Sequence, residues 1–286
     1  MPNTPTPAIR SWELRRELRR LREERHRSLS DVGKAVGLSQ PLLSRMENGI
    51  RRFLPRTVRL LCYEYGLDDA TRDRLVSLAE EAEPPGLWER AGEAVPEGFM
   101  RYLGLETEAD WIHVWQAEVV PELLQTEGYA RGLYPAGRCT GRPDEIEKRI
   151  RLRMARQERF DSDDPPRFCC VLGETALRQQ IGGADTLRRQ LDHLVRMAGH
   201  PSVTLQVLPY RAGGHAAVNG SFTRLGADTS PPLQVAYVEH NTGNLYLDGP
   251  GDVATYAAIF EIQRTTALSP AQSLAFIHEL AEDRPR

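Results

Sequence analysis

The sequence predicts an α+β protein in two parts: an all-α N-terminal domain of five helices, then an α+β domain with a small, mainly antiparallel sheet. Three observations predict it. Residues 11–82 carry apolar side chains at helical spacing, interrupted by capping residues. Pro84-Pro85-Gly86 then breaks the helical pattern. Beyond residue 200 four short strand-like runs follow one another through turns, which favours antiparallel neighbours.

Taken in order, residues 1–10 read as a disordered tail, with three prolines and no apolar core of the kind a secretory signal has. Residues 11–27 form an amphipathic helix through Trp12, Leu14, Leu18 and Leu21. Ser28 is an N-cap, with Asp31 completing a capping-box pattern, for a short helix over 29–36 that Gly37 ends. Ser39 caps the next helix, 40–48, whose inward positions are Leu43 and Met46 and which Gly49 terminates. Pro41 falls in its first turn, where a missing N–H costs nothing. Helices over 56–65 and 69–82 complete this part. After the break, 111–120 and 167–172 read as strands, and 126–134, 143–160, 174–181 and 184–199 as helices. The four later strands are 203–208, 220–225, 233–239 and 244–247, and helices over 251–266 and 270–282 close the chain.

The chain of 286 residues carries a net charge of −3, unevenly spread. Residues 1–66 hold 14 Arg and Lys against seven Asp and Glu, a balance of +7, which leaves −10 on the rest. A basic module on an acidic body points to a polyanionic partner for the first part alone. No run approaches the roughly 18 apolar residues of a membrane span. The four cysteines fit no zinc spacing, and adjacent Cys169 and Cys170 would face opposite sides of a strand, as buried small apolar groups in a reducing cytosol.

Residues 28–48 spell helix, tight turn, helix, the arrangement that seats one helix in the major groove of DNA. Val32, Val36, Leu38, Leu43 and Met46 supply the apolar contacts that fix the angle between the helices, and Gly37 permits the turn. The outer face of the second helix offers Gln40, Ser44 and Arg45 to base edges; Gln pairs bidentately with adenine and Arg with guanine. Ser39 at the helix N-terminus, with Ser28, Asn48, Arg51 and Arg52 around it, is placed for phosphate contacts.

The run Gly37-Leu-Ser-Gln-Pro-Leu-Leu-Ser-Arg-Met-Glu-Asn-Gly49 resembles the recognition segment of Cro/repressor-type (XRE family) helix-turn-helix regulators, whose pattern is Gly-Val-Ser-Gln-x-x-Ile-Ser-Arg-Ile-Glu-Asn-Gly. The resemblance implies a five-helix DNA-binding domain over 11–83 and an operator read by a homodimer. Leu29 stands where the family commonly has a phosphate-contacting Gln. Gly33 replaces a usual Ala, at about 1 kcal/mol of helix propensity. Pro41 and Leu42 occupy positions that often read bases, and Leu42 is equally suited to a thymine methyl or to packing.

Residues 84–286 form the second domain. Leu103-Gly-Leu-Glu106, Val120-Pro-Glu-Leu-Leu-Gln-Thr-Glu-Gly-Tyr-Ala130, Arg153-Met-Ala-Arg-Gln-Glu158 and Val203-Thr-Leu-Gln-Val-Leu-Pro209 are similar to the domain that follows this helix-turn-helix in antitoxin-like regulators of filamentous, high-GC bacteria. That resemblance implies a regulatory domain that works with a small partner protein encoded nearby, and it supplies no catalytic residues. No His-Glu-x-x-His, Gly-x-Ser-x-Gly or phosphate-binding loop occurs. His215 beside Gly213-Gly214, and His240 after Glu239, are the candidates for a ligand pocket.

The expectation is therefore a cytoplasmic, nucleoid-associated transcription regulator, not an enzyme, without metal or cofactor or membrane contact. It occupies a two-fold double-stranded DNA operator as a homodimer, and its second domain serves assembly and partner or effector response. The alternatives are an antitoxin-like interaction protein with DNA binding secondary, and an enzyme tethered to DNA by its head.

Overall fold

Capping and apolar spacing fix most of the helices where the sequence places them. The structure, a computed structural model, describes residues 7–47, 51–82, 97–134, 142–228, 232–240 and 242–282. It divides into two compact units, Met1–Glu108 and Ala109–Arg286.

The first unit is helical: α1 Pro7–Glu24, α2 Leu29–Val36, α3 Gln40–Glu47, α4 Pro55–Glu64, α5 Asp69–Glu81 and α6 Glu97–Glu108. Leu14, Leu18 and Leu21 of α1 meet Val32, Leu43, Met46, Val58, Leu61 and Leu75 in one buried cluster. Helix α1 takes in Pro7–Arg10, four residues expected in the tail; a proline fits the first helical turn because its N–H would be unpaired there anyway. It also stops at Glu24 rather than at 27. His26 adopts a left-handed conformation at φ 52°, and the Arg27 N–H returns to the Arg22 carbonyl at 3.1 Å. Helix α6 was not expected. The expected break at 84–86 lies outside the described residues, as do Asn48 and Gly49.

The second unit is built on six strands: β1 Trp111–Gln116, β2 Arg167–Gly173, β3 Val203–Leu208, β4 Phe222–Ala227, β5 Leu233–His240 and β6 Gly243–Leu247. They form one sheet in the order β3-β2-β1-β4-β5-β6. The α+β class stands, but the sheet is mixed rather than mainly antiparallel: β1–β2 and β2–β3 run parallel, and β1–β4, β4–β5 and β5–β6 antiparallel. The reason lies in the connections. β1 reaches β2 through α7 Glu127–Leu133 and α8 Pro143–Gln157, and β2 reaches β3 through α9 Glu174–Arg178 and α10 Ala184–Ala198; a helical crossover is what a parallel pair requires. The later strands connect without α-helices.

One sheet face carries His113 and Trp115 beside Cys169, Val171, Phe222 and Arg224, and α11 Pro250–Thr266 lies over it, with Phe260 stacked on the His113 ring at 4.7 Å. The other face buries Ile112, Val114, Phe168, Cys170 and Leu205; Phe160, just past α8, packs edge-on against Phe168. Helix α12 Pro270–Glu282 closes the outer edge of β3, where the Ser273 hydroxyl accepts from the Val207 N–H at 2.9 Å. Cys169 and Cys170 do face opposite sides. Burial pushes the Cys62 and Cys169 thiols up to about 11, and Cys170 well above its ordinary value. Cys139 lies outside the described residues.

A charged knot fastens α8 to the short turn that precedes α7. Glu122 there takes both Arg153 and Arg156 of α8, and Arg153 also donates to Gln125 at 2.7 Å. Burial alone would raise the Glu122 carboxyl, but the two guanidiniums outweigh it and hold it at about 2. A carboxyl depressed in the folded state contributes stability above its ordinary value of 4.5, and that contribution is lost as the pH falls toward 2. The expected outcome is a melting temperature that declines across this window, with a shallower decline in Glu122→Gln, measured by circular dichroism in a pH series.

Candidate nucleic-acid interface

Helix α2 begins with Ser28 as its N-cap. The Ser28 hydroxyl accepts from the Asp31 N–H at 3.1 Å and donates to the Asp31 carboxylate at 2.6 Å, so this side chain is committed within the chain. Gly37 closes α2 at φ 71°, a conformation that costs glycine nothing. The Leu38 N–H then reaches back to the Gly33 carbonyl at 2.8 Å. The close approach explains Gly33: a Cβ there would sit 2.6 Å from the Leu38 carbonyl oxygen. The glycine that looked like a loss of helix propensity is what lets the turn pack down on α2.

Ser39 caps α3, accepting from the Leu42 N–H at 3.3 Å and keeping its own proton to donate outward. Leu43 and Met46 are buried between α1, α2 and α4 residues, which turns the opposite side of α3 outward. Gln40 and Arg45 are exposed on that side and Ser44 is half-buried, so the three expected base-reading residues share the outer part of one helix. Pro41 is exposed with them, whereas Leu42 is half-buried and packs against the unit's core. Arg51 and Arg52 are exposed, and the Arg51 N–H donates to the Arg45 carbonyl at 3.1 Å, which holds this segment against the end of α3.

The sequence reading missed what anchors α3. Glu47, the helix's one acid, is buried and faces Arg22 of α1 in a two-pronged pair, Nε to Oε1 at 2.7 Å and Nη2 to Oε2 at 2.8 Å. Arg22 also donates to the Arg27 carbonyl at 3.0 Å. The Glu47 hydrogen bonds come first in raising the Arg22 pKa, against the desolvation that lowers it. Arg22 therefore belongs to the scaffold and not to the basic surface. The signal was present in the Arg-Met-Glu-Asn-Gly run, but its partner lies 25 residues upstream.

The charge surplus sorts in the same way. Glu17, Glu23 and Glu24 of α1 pair with Arg19, Arg20, Arg22 and Arg74, and Glu64 pairs with Arg27. Lys34, Arg45, Arg51, Arg56 and Arg59 are exposed, and none has a carboxylate within ion-pairing distance among the described residues. Lys34 and Arg56, from α2 and the first turn of α4, add to the cations expected near α3. A surface of unneutralised cations around a polar-faced helix is suited to phosphate neutralisation and base contact together.

The two candidate histidines of the second unit do not form a site together. His215, in the β3–β4 connection, lies edge-on to Trp115 at 5.1 Å, with Nδ1 3.1 Å from the Gln263 side-chain nitrogen. His240 is exposed at the end of β5, with Nδ1 3.1 Å from the Thr242 hydroxyl. Among the described residues no cluster of three His, Cys, Asp or Glu side chains is placed to hold a metal ion. No helix among them is long and apolar enough to cross a membrane.

Residues 13–75 match the model of a family described as a helix-turn-helix domain, which spans α2 and α3 and the helices packed on them. Residues 99–279 match the model of a family described as a domain of unknown function, DUF5753. No curated protein and no solved structure matches the chain.

Two expectations test the scaffold beneath α3. Arg22→Met leaves the Glu47 carboxylate buried and unpaired and lowers stability by about 3–5 kcal/mol, while Arg22→Met with Glu47→Met recovers most of the loss. Gly33→Ala costs about 1–3 kcal/mol despite its better helix propensity. Chemical denaturation of the purified variants measures both; a double variant as unstable as the sum of the singles would separate the two side chains.

Proposed function

The chain belongs to the DUF5753 family and carries a helix-turn-helix domain ahead of that region, and from this premise we propose that it is a sequence-specific DNA-binding transcription regulator. One observation carries the reading: the outer part of α3 presents Gln40, Ser44 and Arg45 with no acid among them, flanked by exposed Lys34, Arg51, Arg52 and Arg56. Gln40 and Arg45 read base edges in the major groove. Ser39, Arg51 and Arg52 bind phosphate and set the register, together with Asn48, and Ser28 contributes through its place at the start of α2.

A single recognition helix of eight residues covers few base pairs. The regulator accordingly works as a homodimer on a two-fold site with half-sites about 34 Å apart. The resemblance of this helix-turn-helix to the XRE family supports that arrangement. Residues 84–286 act as the regulatory part, for assembly and for response to a small protein partner or an effector, as the likeness to antitoxin-like regulators suggests. The protein is not an enzyme on this reading, and it acts in the cytoplasm on the nucleoid.

Binding of the purified full chain to genomic duplex fragments, followed by anisotropy over a salt series, tests the proposal. Affinity falls steeply with salt, as phosphate neutralisation requires. Arg45→Ala flattens base preference at one step, at a cost of about 1–3 kcal/mol, while Arg51→Ala weakens all sequences alike. Absence of duplex binding at low ionic strength would sink the reading, and unchanged base preference in Arg45→Ala would remove that residue from it.

A further inference from the structure

The sheet of the second unit ends differently at its two edges. At β3 the outer row is closed by α12 and the turn before it. Val207 donates its N–H to the Ser273 hydroxyl at 2.9 Å, and its carbonyl accepts from the Leu268 N–H at 2.9 Å. The Gln206 side chain adds a bond to the Leu268 carbonyl at 2.9 Å. At β6 the strand pairs with β5 on one side, and no strand follows on the other. Among the described residues Asn244, Leu245 and Leu247 make no backbone hydrogen bond beyond the β5 ladder. An antiparallel strand turns alternate backbone groups to each side, so a row of N–H and C=O groups of β6 points outward from the sheet.

The side chains of this edge are open as well. Leu245 stands opposite Val238, on the face that α11 covers farther in. Helix α11 reaches Phe222 of β4, where Tyr256 meets the ring edge-on at 4.9 Å, and β6 lies two strands beyond β4. Leu245 is accordingly 49% exposed. Soluble proteins ordinarily guard such an edge with a lysine, a proline or an inward-pointing charge. Gly243-Asn-Leu-Tyr-Leu247 contains none of these.

We propose that β6 pairs with β6 of a second copy of the chain, antiparallel about Leu245, and joins the two six-stranded sheets into one. Symmetry favours a second copy over another partner. In a pair centred on Leu245 the two-fold axis stands perpendicular to the sheet, so each leucine meets its counterpart on the same face. Asn244 then stands opposite Tyr246, and Gly243 opposite Leu247, and no like charges are brought together. A charged partner segment would find no counter-charge on this strand. Because α12 closes the β3 edge, β6 is the open edge among the described residues, and the pairing stops at two copies instead of growing into a fibre. The inference deepens the homodimer reading above and rests on it for its use at a two-fold operator; the pairing itself concerns the second unit alone.

The test measures the mass of the full-length protein, free of DNA, by sedimentation over a concentration series reaching about 100 µM. A dimer is expected. Leu245→Lys, at an exposed position, should leave the circular dichroism spectrum unchanged and weaken dimerisation by about tenfold or more, because it sets two ammonium groups face to face. Leu245→Cys should form a disulfide-linked dimer on mild oxidation, since directly opposed residues of an antiparallel pair lie within disulfide reach; the wild type, with its own cysteines, should not. A wild-type chain that stays monomeric overturns the proposal, and salt-dependent duplex binding by that monomer would leave the DNA-binding reading standing. A dimer that folded Leu245→Lys does not weaken, or that Leu245→Cys does not cross-link, overturns the β6 surface and leaves the homodimer reading intact. Should Leu245→Lys not fold, the cross-link alone decides.

Discussion

The position of α3 depends on one buried ion pair. Glu47 is the acid of an otherwise uncharged or basic helix, and it is turned inward onto Arg22. Two effects follow from the one contact. The end of α3 is tied to α1 by a geometry in which both oxygens meet both nitrogens, which restricts rotation as well as separation. The sole negative charge of α3 is also removed from the face that would meet a polyanion. A carboxylate on that face would repel phosphate at contact distance; inside, it is neutralised by a residue that a simple charge count assigns to the basic surface.

Charge in the first unit is thereby partitioned by position rather than by amount. The arginines of α1 are largely consumed by acids on the same helix at spacings of three and four, pairs worth only a few tenths of a kcal/mol each at an exposed surface. Their consequence is electrostatic more than energetic. They cancel the field on α1 and leave it around α3 and the start of α4, where Arg45, Arg51 and Arg56 have no carboxylate within ion-pairing distance among the described residues. A balance of +7 spread evenly would attract a polyanion to any side of the domain; collected here, it is concentrated around α3.

What the sequence discloses is local chemistry, and what it hides is contact between distant segments. Ser28, Gly37 and Ser39 mark helix ends through side chains and conformations that act within three residues, and α2 and α3 begin or end where these residues put them. The outward set of α3 followed from the inward Leu43 and Met46 by periodicity alone. Arg22–Glu47 was out of reach because nothing local distinguishes Arg22 from its neighbours. Gly33 was read by propensity as a defect, because the Leu38 carbonyl that crowds it belongs to the next turn. The end of α1 was missed because His26 takes the left-handed conformation that glycine usually signals. The mixed sheet had a readable cue: each of the first two strand connections contains helices long enough for a crossover, and only the later strands follow one another directly.

The same division between local and distant explains the second unit's polar interior. Residues beyond 66 carry a balance of −10, yet Arg224 in the middle of their sheet has no carboxylate within ion-pairing distance among the described residues, and Glu261 acts on it only from farther away. Acids were not scarce; they were placed elsewhere. Glu122 sits with two arginines at α8, Glu174 receives Arg178 and the Tyr210 N–H, and Glu261 is turned to Arg264. Each of these carboxylates meets its partner within a helix or across one helix-to-turn contact. Arg224 has strand neighbours instead, and its row on the sheet supplies an imidazole, a small residue and a leucine. A fold that only needed to fill this position could do so with an apolar side chain at no desolvation cost. The guanidinium is instead held by the Trp111 ring and His113 Nδ1, and Glu261 favours its charge from beyond ion-pairing distance against the burial that opposes it.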